Sequence, residues 1–175
     1  VHLESKGYFK DGLRNGKWEF YYRNGAKWRE GVYEKDLENG HWKTWYENGK
    51  LLNEGDFVEG KEHGFWQQYW DNGKLKNETT FDSGKLNGVW RSYSKKGKLT
   101  LQGEYKNDLK TGLWTRYSEK GQLLETGYYK IIEVKKHHVN YGVFAHRVVE
   151  ESVRDGHWVW FSEKDGKRSH EGDYK

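Results

Sequence analysis

Apolar residues in this chain do not form runs. Single aromatics recur at fixed places among polar residues, and one spacing dominates. Gly-x-Trp occurs at Gly16-Lys17-Trp18, Gly40-His41-Trp42, Gly64-Phe65-Trp66, Gly88-Val89-Trp90 and Gly112-Leu113-Trp114, each 24 residues after the last. A sixth copy, Gly156-His157-Trp158, follows the fifth by 44 residues. A fixed period in this range marks a repeat protein. Five positions after each Gly stands another aromatic: Tyr21, Trp45, Tyr69, Tyr93, Tyr117 and Phe161. Alternation along a strand places Trp18, Phe20 and Tyr22 on one face and Tyr21 on the other. One face is therefore predicted to carry a row of Trp, and the opposite face the row from Tyr21 to Phe161.

Turn signals divide each unit. Asn24-Gly25, Asn48-Gly49 and Asn72-Gly73 are followed by Lys96-Gly97, Lys120-Gly121 and Asp165-Gly166. Asn-Gly between alternating runs predicts a two-residue type I′ hairpin turn, because both central residues need positive φ. Next comes Gly-x-aromatic: Gly7/Phe9, Gly31/Tyr33, Gly55/Phe57, Gly103/Tyr105, Gly127/Tyr129 and Gly172/Tyr174. The fourth copy has Thr79 in place of the Gly and keeps Phe81. A second, looser turn, such as Lys10-Asp11-Gly12-Leu13, leads back to Gly-x-Trp. Each unit thus reads as two short strands, and no stretch has sustained helical periodicity. The expectation is an all-β, elongated, curved, single-layer antiparallel sheet of about a dozen strands. An open sheet of that size must curl.

Composition sharpens this. Hydrophobic residues are 33% and charged residues 33%, a balance that leans toward disorder, but aromatics reach 17%, with 10 Trp and 13 Tyr. Rings bury a large area each, so the expectation is an ordered, thin fold without a thick aliphatic core. Net charge is +4, with 31 basic and 27 acidic residues interspersed. The chain has no Cys, which excludes disulfides and thiolate metal sites and leaves the redox compartment unread. No apolar run is long enough to span a membrane as a helix. With no Met at all, the sequence reads as a trimmed or processed chain. The cytoplasm is slightly favoured, with the cell envelope as the alternative if an N-terminal signal has been removed.

The unit Asn39-Gly40-His41-Trp42-Lys43-Thr44-Trp45-Tyr46-Glu47-Asn48-Gly49-Lys50-Leu51, closed by Glu54-Gly55-Asp56-Phe57, resembles the MORN repeat. It is similar to the bacterial variant of that repeat found in YwqK-type antitoxins of toxin–antitoxin modules. The resemblance covers residues 7–130 and 153–175. It implies hairpins stacked into one elongated sheet, and it offers no catalytic residues. The expected organisation is five in-phase repeats over 1–130, an insertion over 131–152 forming an extended hairpin, and a sixth repeat over 153–175. The insertion is rich in Val and Ile, and Asn140-Tyr141-Gly142 reads as its turn. It reads either as a cap on the array or as a contact element.

Candidate chemistry is sparse. His137, His138 and His146 could approach one another across the insertion hairpin, but no further ligand joins them, so no metal or cofactor is expected. His41, His63 and His157 recur in phase and read as turn residues. Glu30, Glu54, Glu78 and Glu171 also recur in phase. Periodic carboxylates point to cross-strand pairing with Lys or Arg and away from an asymmetric catalytic site. The glycines follow turns and build no phosphate loop. The sequence pI of about 9.0 and the rings among Lys and Arg raise nucleic-acid binding, but no basic stripe is evident. Nothing marks a polybasic or amphipathic membrane segment, and a membrane or polymer surface stands as the alternative partner. The reading is a non-catalytic scaffold that binds another protein, a toxin if the resemblance extends to function. Tyr21, Trp45, Tyr69, Tyr93, Tyr117 and Phe161, with His137, His138, Tyr141, Phe144 and His146 of the insertion, are the candidate contact residues.

Overall fold

Each Gly-x-aromatic glycine before the last strand lies beneath a tryptophan of the following strand, and this contact sets the architecture. A Cβ added to Gly31 would stand 2.0 Å from Trp42 Cδ2, and one added to Gly7 would stand 2.1 Å from Trp18 Cδ2. The same holds for Gly55 under Trp66, Gly103 under Trp114 and Gly127 under Trp158. A single sheet has no second layer to cover its rings. Here the indole lies flat on bare backbone, and Trp42 is only 1% exposed. The indole N–H is also satisfied. Nε1 of Trp18, Trp42, Trp66, Trp114 and Trp158 donates to the carbonyl of Tyr8, Val32, Asp56, Glu104 and Tyr128, at 3.0–3.2 Å.

The computed structural model describes residues 4–140 and 143–174, with the side chains of 135–149 left aside. It has β1 (Ser5–Lys10), β2 (Leu13–Tyr21), β3 (Lys27–Glu34), β4 (Leu37–Trp45), β5 (Leu51–Val58), β6 (Lys61–Tyr69) and β7 (Leu75–Asp82). It continues through β8 (Lys85–Leu86), β9 (Gly88–Tyr93), β10 (Leu99–Lys106), β11 (Leu109–Tyr117), β12 (Leu123–Asn140), β13 (Val143–Phe161) and β14 (Arg168–Tyr174). All fourteen form one open antiparallel sheet in chain order; β8 is a stub that pairs only with β7, and the path runs from β7 to β9. The expected all-β single sheet is the one observed. The ladder slips at the Gly-x-aromatic glycine, for example between Lys6 and Tyr8 and between Glu30 and Val32. These slips are β-bulges: one glycine faces the three residues of Gly-x-Trp, so the extra residues belong to the tryptophan strand and the indole folds back onto the glycine.

The turn chemistry is the reverse of the sequence expectation. The two-residue turns with positive φ at both centres are Asp11 (52°) with Gly12 (78°), Lys35 (49°) with Asp36 (69°), Glu59 (49°) with Gly60 (77°), Ser83 (52°) with Gly84 (82°), and Asn107 (50°) with Asp108 (69°). These are the turns expected to be loose. In the Asn-Gly turns only the glycine is left-handed, at 85° for Gly25. Gly25 N–H donates to Tyr22 O at 2.9 Å, and Tyr22 N–H to Ala26 O at 2.8 Å. Asn24 Oδ1 accepts from Ala26 N–H at 2.9 Å. This is a three-residue loop closed by a left-handed glycine, and the asparagine serves as a side-chain acceptor.

Both margins of the sheet are stitched unit to unit. On one, Asp36 N–H donates to Arg14 O, Gly60 N–H to Glu38 O and Gly84 N–H to Glu62 O, at 2.8–3.0 Å. On the other, Tyr22 and Tyr46 hydroxyls donate to Trp45 O and Tyr69 O at 2.8 Å, and Trp70 Nε1 to Tyr93 O at 2.9 Å. β12 and β13 continue their ladder beyond the repeat width, from Lys130↔Val153 to Asn140↔Val143. The turn read at Asn140-Tyr141-Gly142 falls partly outside the described residues.

Candidate interaction surface

On the face opposite the tryptophans, ion pairs gather in the first units beside the exposed Tyr8 and Val32, and from the third unit the middle position of Gly-x-Trp is apolar. In the first two units the periodic carboxylates are neutralised by cations. Lys27 Nζ lies 2.9 Å from Glu19 and 2.7 Å from Glu30, and Lys43 Nζ lies 3.3 Å from Glu54. Arg91 NH1 lies 2.9 Å from Glu78. Lys27, and next the Tyr21 hydroxyl, hold the Glu19 carboxyl down at about 2. His41, His63 and His157 all lie in strands, so the turn reading is corrected. His41 faces Asp56 and Glu54, and His157 faces Asp173 and Glu171. Asp173, and after it Glu171, raise the pKa of His157.

Beyond the second unit one column of this face changes character. The middle residue of Gly-x-Trp is Lys17 and then His41, but next Phe65, Val89 and Leu113. Phe65 is 53% exposed, Val89 40%, Leu113 47% and their neighbour Tyr128 54%. Leu113 and Tyr128 are direct cross-strand partners. Equivalent residues of successive units are two strands apart, roughly 10 Å. They form a row in which Thr80 and Glu104, the cross-strand partners of Phe65 and Val89, stand between them, and the row lies between the histidine–carboxylate clusters of His41 and His157.

On the tryptophan face, cations cover the rings toward both ends. Arg14 lies 3.9 Å over the Tyr33 ring, and Arg29 4.2 Å over Trp42 and 5.6 Å from Phe57. Lys110 lies 4.4 Å over Trp114, and Arg154 4.3 Å over Trp158. Edge-to-face rings fill the intervals, such as Tyr33–Trp42 at 4.9 Å and Tyr105–Trp114 at 5.1 Å. Among the described residues, no cation covers Trp66, Phe81, Trp90 or Tyr105.

The fourth unit breaks the ring ladder. Thr79 occupies the glycine position and is 6% exposed, so the Trp90 indole cannot lie where its counterparts lie. Trp90 Nε1 donates to Ser92 Oγ at 2.9 Å, and the carbonyl it would have used, Thr80 O, accepts from Asn87 N–H at 2.9 Å. Asn87 separates β8 from β9, and β7 pairs with β9 only at Asn77↔Ser92 and Glu78↔Arg91. Thr79 Oγ1 is buried and has no hydrogen-bond partner among the described residues. An open hollow of about 220 Å³ results, lined by Asn53, Glu62, Trp66, Thr79, Phe81 and Trp90 among others.

The sequence profile of the MORN repeat variant matches residues 14–35, 38–59, 62–83, 86–107 and 110–130, more than half of the chain. The chain belongs to this family. MORN repeats are non-catalytic modules that mediate protein or membrane interactions. No curated protein shows significant similarity to the chain. The matched segments stop at residue 130, but the C-terminal unit repeats the MORN contact in full, with Trp158 over Gly127 and its Nε1 on Tyr128 O at 3.0 Å.

The MORN frame places the residues singled out from sequence. Tyr21, Trp45, Tyr69, Tyr93, Tyr117 and Phe161 recur at one strand position and are half-buried. Several hydroxyls are engaged internally: Tyr21 with Glu19 at 3.0 Å, Tyr69 with Glu54 at 3.1 Å and Tyr93 with Glu78 at 3.2 Å. Burial, and then the bond to Glu54, push the Tyr69 phenol up to about 12. The side chains of His137, His138, Phe144 and His146, and the whole of Tyr141, lie outside the described residues. No group of three or more His, Asp or Glu that could hold a metal exists among the described residues. Sequence reasoning passed over Phe65, Val89 and Leu113, although their column was readable: it turns from charged to apolar at the third unit.

Proposed function

We propose that the protein is a non-catalytic MORN scaffold that holds a protein partner across units three to five. One observation carries this reading. Units three and four, in which Trp66 and Trp90 lack, among the described residues, the cation that covers Trp42, Trp114 and Trp158, expose Phe65 and Val89 on the opposite face, and Leu113 of the fifth unit, where Lys110 covers Trp114, ends the row. Exposed apolar side chains gathered in a row mark interaction surfaces, whereas scattered ones do not. The rings of Tyr69, Tyr93 and Tyr117 follow four residues along the same strands, so by alternation they border that row and supply rigid contact area. The 131–150 segment, an extension of the β12–β13 ladder, is the second contact element.

The partner is a toxin, and its neutralisation is steric: the central faces and the long hairpin cover the toxin's active site. What supports the toxin as partner is the resemblance of the 24-residue unit to that of YwqK-type antitoxins. Co-expression with the product of the adjacent reading frame tests it. Growth arrest caused by that product is relieved by the wild-type chain and not by a Phe65→Ser/Leu113→Ser variant of normal stability. Equal relief by both would remove the central row from the account. If the wild-type chain instead sediments with anionic liposomes in a salt-sensitive manner and relieves nothing, a membrane surface takes the partner's place.

A further inference from the structure

We infer that the hollow between Trp66 and Phe81 is an arginine-binding pocket, filled by a guanidinium from the partner protein. The inference rests on the proposed protein-binding function and specifies one of its contacts. The template is the preceding unit of the same sheet. There Arg29 lies 4.2 Å over Trp42 and 5.6 Å from Phe57, with NH1 3.3 Å from Glu38 Oε1. Shifted by one period, Glu38, Trp42 and Phe57 become Glu62, Trp66 and Phe81. Only the cation is replaced, with Asn53 where Arg29 stands.

The receiving geometry is preserved to within a degree. The Trp42 and Phe57 rings are 6.1 Å apart at 78°, and the Trp66 and Phe81 rings 6.1 Å apart at 79°. The carboxylates are posed alike as well. A Cβ built on Gly60 lies 3.8 Å from Glu38 Oε2, and one built on Gly84 lies 3.8 Å from Glu62 Oε2. Glu62 has no hydrogen bond or ion pair from its carboxylate among the described residues, whereas Glu38 is paired with Arg29.

Asparagine is too short to reach over the indole. Trp66 is accordingly half-exposed, while Trp42 is 1% exposed. Cavities of about 220 and 250 Å³ meet at Asn53, Glu62 and Trp66. Two rings and a carboxylate at these positions select a flat cation that can stack and donate at once, which is guanidinium in preference to ammonium. The neighbouring unit gives the hollow its depth, because Thr79 turns the Trp90 indole out of its usual bed.

The test uses the full chain with ¹⁵N-labelled Trp and N-acetyl-argininamide as probe. The Trp66 indole N–H resonance is expected to shift saturably, while that of Trp42, already covered by Arg29, does not move. The neutral isostere N-acetyl-citrullinamide should leave both in place. Asn53→Arg supplies the guanidinium in cis, so it should abolish the response and raise the melting temperature; Glu62→Gln should weaken binding severalfold. A Trp66 signal that argininamide leaves unmoved, or an Asn53→Arg chain that responds like wild type, overturns the pocket. Partner retention is scored separately on the same variants. Retention by wild type and Asn53→Arg alike, without a probe response, removes the pocket and leaves the protein-binding function standing. A probe response with no protein retained does the opposite.

Discussion

Thr79 displaces Trp90 from the bed that every other Gly-x-Trp indole of the described sheet occupies. The hydroxyl-bearing side chain stands where glycine leaves bare backbone, and the Trp90 N–H turns to Ser92 Oγ at 2.9 Å. A one-residue departure thus opens the centre of the array without breaking the sheet. Two reciprocal substitutions follow. Gly31→Thr should eject Trp42 and destabilise the chain by about 1–3 kcal/mol, as overpacking does. Thr79→Gly should let Trp90 lie down, move its indole N–H resonance toward those of its counterparts and leave stability equal or higher. Thermal melts with indole NMR check both, and a neutral Gly31→Thr would show that the glycine bed is dispensable.

The margin stitches carry their own cost. Tyr46 OH donates to Tyr69 O of the next unit at 2.8 Å. Tyr46→Phe removes that donor and keeps the ring. A loss of about 1 kcal/mol is expected in denaturant unfolding, with the m-value unchanged. A much larger loss, or a changed m-value, would mean that the stitch holds units together cooperatively.

Stability should fall in acid for a specific reason. Glu19, held down at about 2 by Lys27 and Tyr21, binds protons more weakly folded than unfolded. Its contribution is present above its unfolded value near 4.5 and is lost as pH falls from there through about 2. Glu30, also lowered chiefly by Lys27, acts with the same sign. Glu19→Gln should therefore be less stable than wild type at pH 6 and lose less on going to pH 2.5. Parallel melting curves for the two chains across that interval would contradict this origin.

Much of this was legible in the sequence, and the reasons for the rest are physical. Alternation assigned Trp42 and Trp45 to opposite faces, and the 24-residue step fixed the single antiparallel sheet. The in-phase recurrence of Glu30, Glu54 and Glu78 pointed to the cross-strand pairing seen with Lys27, Lys43 and Arg91. The turns were inverted because Asn-Gly satisfies two loop types, and the choice depends on whether the asparagine side chain accepts Ala26 N–H. The Arg29–Trp42 stack was hidden because it joins adjacent strands across the bulge that Gly40, His41 and Trp42 form opposite Gly31, and strand alternation alone does not give that register. Once the register is known, the change from Arg29 to Asn53 becomes the most informative difference between two neighbouring units.

The central row should matter for binding and not for folding. Leu113→Ser alters a side chain that is 47% exposed, so its melting temperature should stay within about a degree or two of wild type while partner retention drops about tenfold. Calorimetry on the purified variant and a quantitative pull-down separate the two effects. A large fall in melting temperature would reassign Leu113 to the packing of the sheet.

Photo-crosslinking in the native cell tests the central claim most directly. A benzophenone side chain is placed singly at positions 65, 113, 41 and 157, all on the face opposite the tryptophans. The account predicts that one protein is captured from 65 and 113 and not from 41 or 157. Capture only from the outer positions, or from none of the four, would contradict the placement of the partner on units three to five.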